Sequence, residues 1–193
     1  MKSAGILALL FALLLISAVI AQAAAQVCQT CGQKIVGPAV TLKADKTYTY
    51  NCVTCALIDA ERHPDGVITA RAVNGKTVTL TRKGTAWTVS PAGAVVYSIG
   101  GHDANCQQHY LVFADRGQAA AYSKQHPAAQ GRIIPLTDTA AVVEAARPQM
   151  PAQATCPVMK GTFKPTTKNL WTIRDGKTYY FCCPSCKKQF NHS

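Results

Sequence analysis

The sequence predicts an α+β protein, with a body of small antiparallel strands and short helices followed by a compact cysteine-bearing unit. Three observations carry this. Asn74-Gly75 and Asp175-Gly176 each lie between strand-like runs and mark β-hairpins. Residues 115–126 and 137–147 read as helices opened by capping side chains. Cys52-Val53-Thr54-Cys55 and Cys183-Pro184-Ser185-Cys186 each follow a strand and open a helix.

The elements follow in order. Residues 1–25 are expected to be an export signal. Lys2 supplies a positive start, residues 4–20 are almost wholly apolar, and Ala21-Gln22-Ala23 and Ala23-Ala24-Ala25 offer small residues for cleavage. The alternative is an uncleaved segment that holds the chain at a membrane. In the body, residues 26–146, Cys28-Gln29-Thr30-Cys31-Gly32 forms a tight knuckle, with Gly32 permitting positive φ. A strand is predicted at Thr47–Tyr50 and a helix at 56–62, broken by Pro64-Asp65-Gly66. Strands follow at 67–73, 76–81, 87–89 and 94–99, then at 109–113. The helix at 115–126 has Asp115 as its cap; after a strand at 132–134, the helix at 137–147 has Thr137. Residues 147–154, with Pro148 and Pro151, read as a linker. In the last unit, 155–193, strands at 170–174 and 177–181 precede a helix at 183–190. Both units share one plan: an early cysteine, a strand, then a cysteine pair opening a helix.

Composition narrows the function. The 193 residues include 20 Lys/Arg against 9 Asp/Glu, a net charge of +11. The basic residues are scattered, with no run beyond Arg82-Lys83 or Lys187-Lys188, so nucleic acid is not an expected partner. No Ser/His/Asp order, phosphate loop, dinucleotide-binding glycine pattern or carboxylate pair stands out, and no enzymatic activity is expected.

The nine cysteines are the distinctive feature. In an exported chain they would ordinarily pair as disulfides, and an odd number leaves one over in a monomer. Their spacing points elsewhere. Cys182 and Cys183 both lie within reach of Cys186 at a helix start, where free N–H groups favour thiolate over thiol. Cys156 returns to them across the hairpin. Three thiolates suit Cu(I) or Zn(II), and a Met159 thioether would favour Cu(I). In the body, Cys28 and Cys31 followed by Cys52 and Cys55 have zinc-site spacing. Disulfides or a Cu(I)–thiolate site would explain the same four residues. His102, Cys106 and His109 form a third candidate on a predicted loop, with a plain surface loop as the alternative.

The segment containing Cys156-Pro157-Val158-Met159, the run from Gly176 through Tyr179-Tyr180-Phe181 to Cys182-Cys183-Pro184-Ser185-Cys186, and Phe190 resembles the YHS/TRASH family of small heavy-metal-binding domains. The resemblance implies a treble-clef-like knuckle that binds metal. The family commonly carries one cysteine where this chain has two, so the choice between Cys182 and Cys183 stays open. The body also looks like the NosL-like accessory proteins that deliver copper to nitrous-oxide reductase. This likeness is carried by Cys31-Gly32, the passage 48–59, and Tyr110-Leu111-Val112-Phe113-Ala114-Asp115. It implies an α+β fold of ββα units, although Gln33 stands where that family's motif has methionine.

The expectation is an exported, periplasmic or otherwise extracytoplasmic, heavy-metal-binding protein. Its metal is copper as Cu(I), or zinc. It would act in delivery, sequestration or sensing, without a catalytic step, with a recipient metalloprotein as a further partner. The competing readings are a thiol oxidoreductase using its CxxC pairs, and a structural or interaction module held by zinc or disulfides.

Overall fold

A computed structural model describes residues 26–101 and 106–193. The expected signal at 1–25 and the candidate ligand His102 lie outside the described residues. The strands are β1 (Val40–Lys43), β2 (Thr47–Tyr50), β3 (Asp65–Arg71), β4 (Thr77–Lys83), β5 (Ala86–Ser90), β6 (Val95–Ser98), β7 (Tyr110–Phe113), β8 (Arg132–Pro135), β9 (Ala154–Thr155), β10 (Thr162–Phe163), β11 (Leu170–Arg174) and β12 (Lys177–Phe181). The helices are α1 (Val53–Ala60), α2 (Cys106–His109), α3 (Arg116–Gln125), α4 (Thr139–Glu144) and α5 (Pro184–Asn191). The fold is α+β with small antiparallel sheets. Among the described residues no helix is long and apolar enough to cross a membrane.

The larger sheet has the order β2-β1-β3-β4-β5 and is antiparallel throughout. Its buried face is set by alternation: Val40 and Leu42, Ile68 and Ala70, Val78 and Leu80 point inward. A second antiparallel sheet has the order β7-β6-β8. Its central strand β6 is buried along its whole length. Val96 joins the main core, while Val95 and Tyr97 pack with Phe113, Ala119 and Tyr122 beneath α3.

Helix α1 lies at the centre. All eight of its residues are buried. It packs on β1, β2, β3, β7, α4 and β11, so its sequence is apolar on nearly every side. Burying Leu57 or Ile58 contributes roughly 1.5–3 kcal/mol each. The one acidic residue, Asp59, accepts a 2.6 Å hydrogen bond from the Tyr50 hydroxyl and pairs with Arg62. Arg82 donates to the Ala60 carbonyl at the helix C-terminus, where the dipole favours a cation.

Several predicted boundaries move. Helix α1 begins at Val53 rather than at 56, because the Cys52 sulfur acts as its cap, accepting from the Cys55 N–H at 3.4 Å. Asp115 caps α3 as expected, but α4 is capped by Asp138 rather than Thr137, through a 3.0 Å bond from the Ala141 N–H. The β3–β4 turn is wider than a two-residue hairpin. Ala72 and Lys76 close it around Val73, Asn74 and Gly75, which frees the Val73 N–H to bond the Val112 carbonyl of β7 at 2.9 Å. Strand β1 and the short pair β9–β10 have no counterpart in the predicted elements.

The C-terminal hairpin joins the body's core. Trp171, Ile173 and Tyr180 belong to the same apolar cluster as Cys28, Leu57 and Ile58. Within 147–154, Arg147 lies over the Trp171 ring and donates to the Asn169 carbonyl, and Pro148 accepts from the Tyr180 hydroxyl. Asp175 and Gly176 form the two-residue turn predicted from sequence, both with positive φ. That turn rests on the Cys28–Cys31 knuckle. The Gly176 N–H donates to the Thr30 carbonyl at 2.8 Å and the Asp175 N–H to the Gln29 carbonyl at 3.4 Å.

Gly176 is the sensitive point of this contact. Its φ is +76°, and an added Cβ would stand 2.8 Å from the Cys31 carbonyl oxygen. Gly176→Ala is therefore expected to lower the midpoint of thermal unfolding by about 5 °C, measured by circular dichroism. Gly75→Ala, with nothing near its Cβ, isolates the cost of positive φ alone and should show a smaller drop.

Candidate metal centre

The body cysteines arrive from three directions. The knuckle 28–32 supplies Cys28 and Cys31, with Gly32 at φ +69° as its sequence predicts. Its backbone is closed by bonds from Gly32 N–H to Cys28 carbonyl and from Cys28 N–H to Gln33 carbonyl, both 2.9 Å. The N-terminal end of α1 supplies Cys52 and Cys55. Helix α2, between β6 and β7, supplies Cys106, and is anchored by the buried Tyr110, whose hydroxyl reaches the Gly101 and Ala145 carbonyls.

All five are buried. Their sulfurs form two triads, Cys28/Cys31/Cys55 and Cys52/Cys55/Cys106, each with its three sulfurs within 4.8 Å of one another. The Cys55 and Cys106 sulfurs are 3.7 Å apart. Two thiolates at that distance, each about 2.3 Å from one ion, subtend an angle of about 107°, within the range of metal–thiolate sites. The four cysteines read as one zinc-like set thus divide into two triads that share Cys55, and Cys106 completes the second. Sequence spacing groups Cys106 with His102 and His109 rather than with Cys52 and Cys55, because these partners lie more than fifty positions earlier. Asn51 is a further residue that spacing does not mark. Its side-chain amide donates to the Cys31 sulfur at 3.5 Å.

The cluster's charge is asymmetric. Hydrogen bonds from the thiols of Cys106, Cys28 and Cys55 hold Cys31 far below the usual thiol range. Cys28, donating to Cys31, is pushed up to about 11. Hydrogen bonding within the cluster also raises Cys55 and Cys106, Cys55 chiefly through Cys106 and Cys106 chiefly through Cys31. A cysteine so shifted favours the anion that a cation would seek, and each metal–sulfur bond made to a protonated thiol would displace a proton.

The C-terminal unit presents a second arrangement. Cys156, Cys182 and Cys186 form a triad within 4.8 Å. The Cys182–Cys186 and Cys183–Cys186 sulfur separations are 3.7 and 3.3 Å. Cys183 is the N-cap of α5 and Pro184 its first residue, a position that suits proline because no N–H is needed there. Phe181 and Phe190 pack against Cys156 and Cys186, so aromatic walls flank the sulfurs. Burial alone would raise Cys156, but N–H groups of Cys182, Met159 and Val158 stabilise its anion and bring it down to about 6. Cys182 is raised because its thiol donates to Cys156. Cys182 is exposed, and a cleft of about 600 Å³ lined by Lys160, Lys177 and Tyr179 reaches the triad at Cys156. The Met159 side chain is 67% exposed.

No disulfide is formed among the described residues. His109 ends α2, and among the described residues the three mutually close groups contain cysteines alone. The structure thus provides cysteine clusters able to hold a metal ion. Among solved structures, the chain is similar to the crystal structure of the mercury-bound form of MerB2, at 18% sequence identity and a TM-score of 0.47, over 58% of this chain. The likeness spans 59% of the MerB2 chain. No protein-family model matches the sequence, and no curated protein matches it.

Two outcomes follow from the C-terminal geometry. Cys182→Ser should weaken metal binding at this triad by at least tenfold, and Cys183→Ser by less, as read by competition with a chromophoric chelator. In the reduced, metal-free protein, ultraviolet thiolate absorbance should show a step near pH 6 that Cys156→Ser removes. The ordinary value is 9.0 and the folded one about 6, so the anion is the form that folding favours. Its stabilising contribution is full above pH 9, and is lost as pH falls through 6.

Proposed function

We propose that this chain is an exported binder of soft metal ions that holds and hands over its cargo without catalysing a reaction on it. The observation that carries the reading is that eight of the nine cysteines fall into mutually close thiol triads. Soft thiolates select ions such as Cu(I) and Zn(II) over hard cations, and among these Cu(I) accepts three sulfur donors while zinc sites are ordinarily completed by a fourth. Copper is therefore the favoured cargo. The YHS/TRASH resemblance of 155–193 and the copper-accessory resemblance of 26–146 agree with this reading.

The two sites differ in access, and their roles follow from it. The body cluster is buried and retains its ion. The C-terminal triad includes the exposed Cys182, through which an incoming thiolate from a recipient metalloprotein can attack the metal and replace the chain's own ligands one at a time. Delivery or sequestration fits this division better than a redox role, since the cysteines gather in threes rather than as isolated pairs.

Titration of the reduced protein with Cu(I) against a competing chelator, and separately with Zn(II), tests the proposal. Tight Cu(I) binding is expected, with part of the bound copper passing to excess chelator much faster than the rest. The fast fraction should disappear when Cys156, Cys182 and Cys186 are all replaced by serine. Failure to bind either metal, together with rapid turnover of a dithiol substrate, would sink the proposal.

A further inference from the structure

Resting on the reading that the cysteines bind soft metal, we propose that the body cluster is a two-ion site, in which Cys55 is the thiolate that bridges two monovalent d10 ions. One ion is held by Cys28, Cys31 and Cys55, the other by Cys52, Cys55 and Cys106. The chemical class is Cu(I) or an ion with its coordination habits.

Donor number is the first argument. Two trigonal ions that share one sulfur need five sulfurs, and five converge here in two triads with one member in common. Two tetrahedral ions sharing one sulfur would need seven donors. Zinc would therefore occupy the cluster once and leave a thiol unused. Burial is the second argument. Cys55 and Cys106 have no exposed surface, and Cys28, Cys31 and Cys52 have 1, 4 and 3%. Water is thus poorly placed to complete a four-coordinate shell, which favours an ion content with three.

The surroundings suit the charge that would gather. Five thiolates around two monovalent ions carry net negative charge, and burying it requires donors. The Cys55 N–H already donates to the Cys52 sulfur at 3.4 Å, at the positive end of the α1 dipole. The Asn51 amide donates to Cys31 from another side. As each thiol becomes a ligand, its proton leaves to solvent. A cleft of about 540 Å³ lined by Asn51, Cys52, Gln107 and Tyr110 leads to the second triad and gives an ion a way in.

The deciding experiment is anaerobic Cu(I) loading of the full chain, wild type and with Cys156, Cys182, Cys183 and Cys186 all replaced by serine. Copper per chain is measured, and the sample is then examined by copper X-ray absorption. Three ions are expected in the wild type and two in the variant. In the variant, trigonal sulfur coordination should be accompanied by a copper–copper vector on the order of 3 Å, the span of two 2.3 Å bonds meeting at one sulfur. Cys106→Ser in that background should keep one ion and lose the vector, and Cys55→Ser should lose the vector too. If Cys55→Ser fails to fold, the vector in the parent variant still decides. A single ion with no metal–metal vector would overturn the two-ion site while leaving soft-metal binding intact. No copper in either protein would overturn both.

Discussion

The structure depends on one helix that has no outside. Helix α1 is enclosed by the five-stranded sheet, by β7, by α4 and by β11, and every one of its residues is buried. A helix in that position must have each polar end answered within the protein. At the C-terminus the answer is Arg82 on the Ala60 carbonyl, with Tyr50 and Arg62 on Asp59. At the N-terminus it is sulfur: Cys52 caps the first turn, and Cys55 lies one turn in. The positive pole of the most deeply buried helix therefore lies among five thiols. The same geometry that stabilises a thiolate without metal would stabilise a metal–thiolate centre.

Much of the fold is legible in sequence where local chemistry decides. The Asp175-Gly176 hairpin, the positive φ of Gly32 and the Asp115 cap are set by neighbours in the chain. Legibility fails where a residue's role is fixed at a distance. Strand β1 has a sheet partner on each side, yet Val40, Thr41, Leu42 and Lys43 make a stretch too short to register as a pattern. Asp138 outcompetes Thr137 as a cap because its carboxylate reaches the Ala141 N–H. The site follows the same division. The cysteine pairs at helix starts can be seen in the sequence. The partition of the body cysteines around Cys55 cannot, because it requires α2 to deliver Cys106 from another sheet.

The two cysteine centres place similar ligands in opposite settings. In the body, Cys31 draws its donors mainly from other thiols, so charge is shared within a closed group. At the C-terminal triad, backbone N–H groups stabilise Cys156, and Cys182 stands at the surface. Backbone donors are fixed in position, whereas thiol donors give up their protons when metal arrives. On loading, the body centre would therefore have to reorganise its hydrogen bonding, whereas the C-terminal one would keep its backbone donors in place.

The contact between the Asp175-Gly176 turn and the Cys28–Cys31 knuckle has a consequence for how the two centres behave together. The turn joins β11 to β12, and β12 runs directly into Cys182. A two-stranded ribbon therefore runs from the cysteines of one centre to those of the other, fastened at its far end by backbone bonds to Gln29 and Thr30. An ion that stiffened the knuckle would stiffen the ribbon's anchor and lower the ordering cost that a second ion must meet. By thermodynamic reciprocity the second ion would do the same for the first. Such a chain would fill cooperatively, passing from empty to loaded over a narrower span of metal concentration than two independent centres would allow.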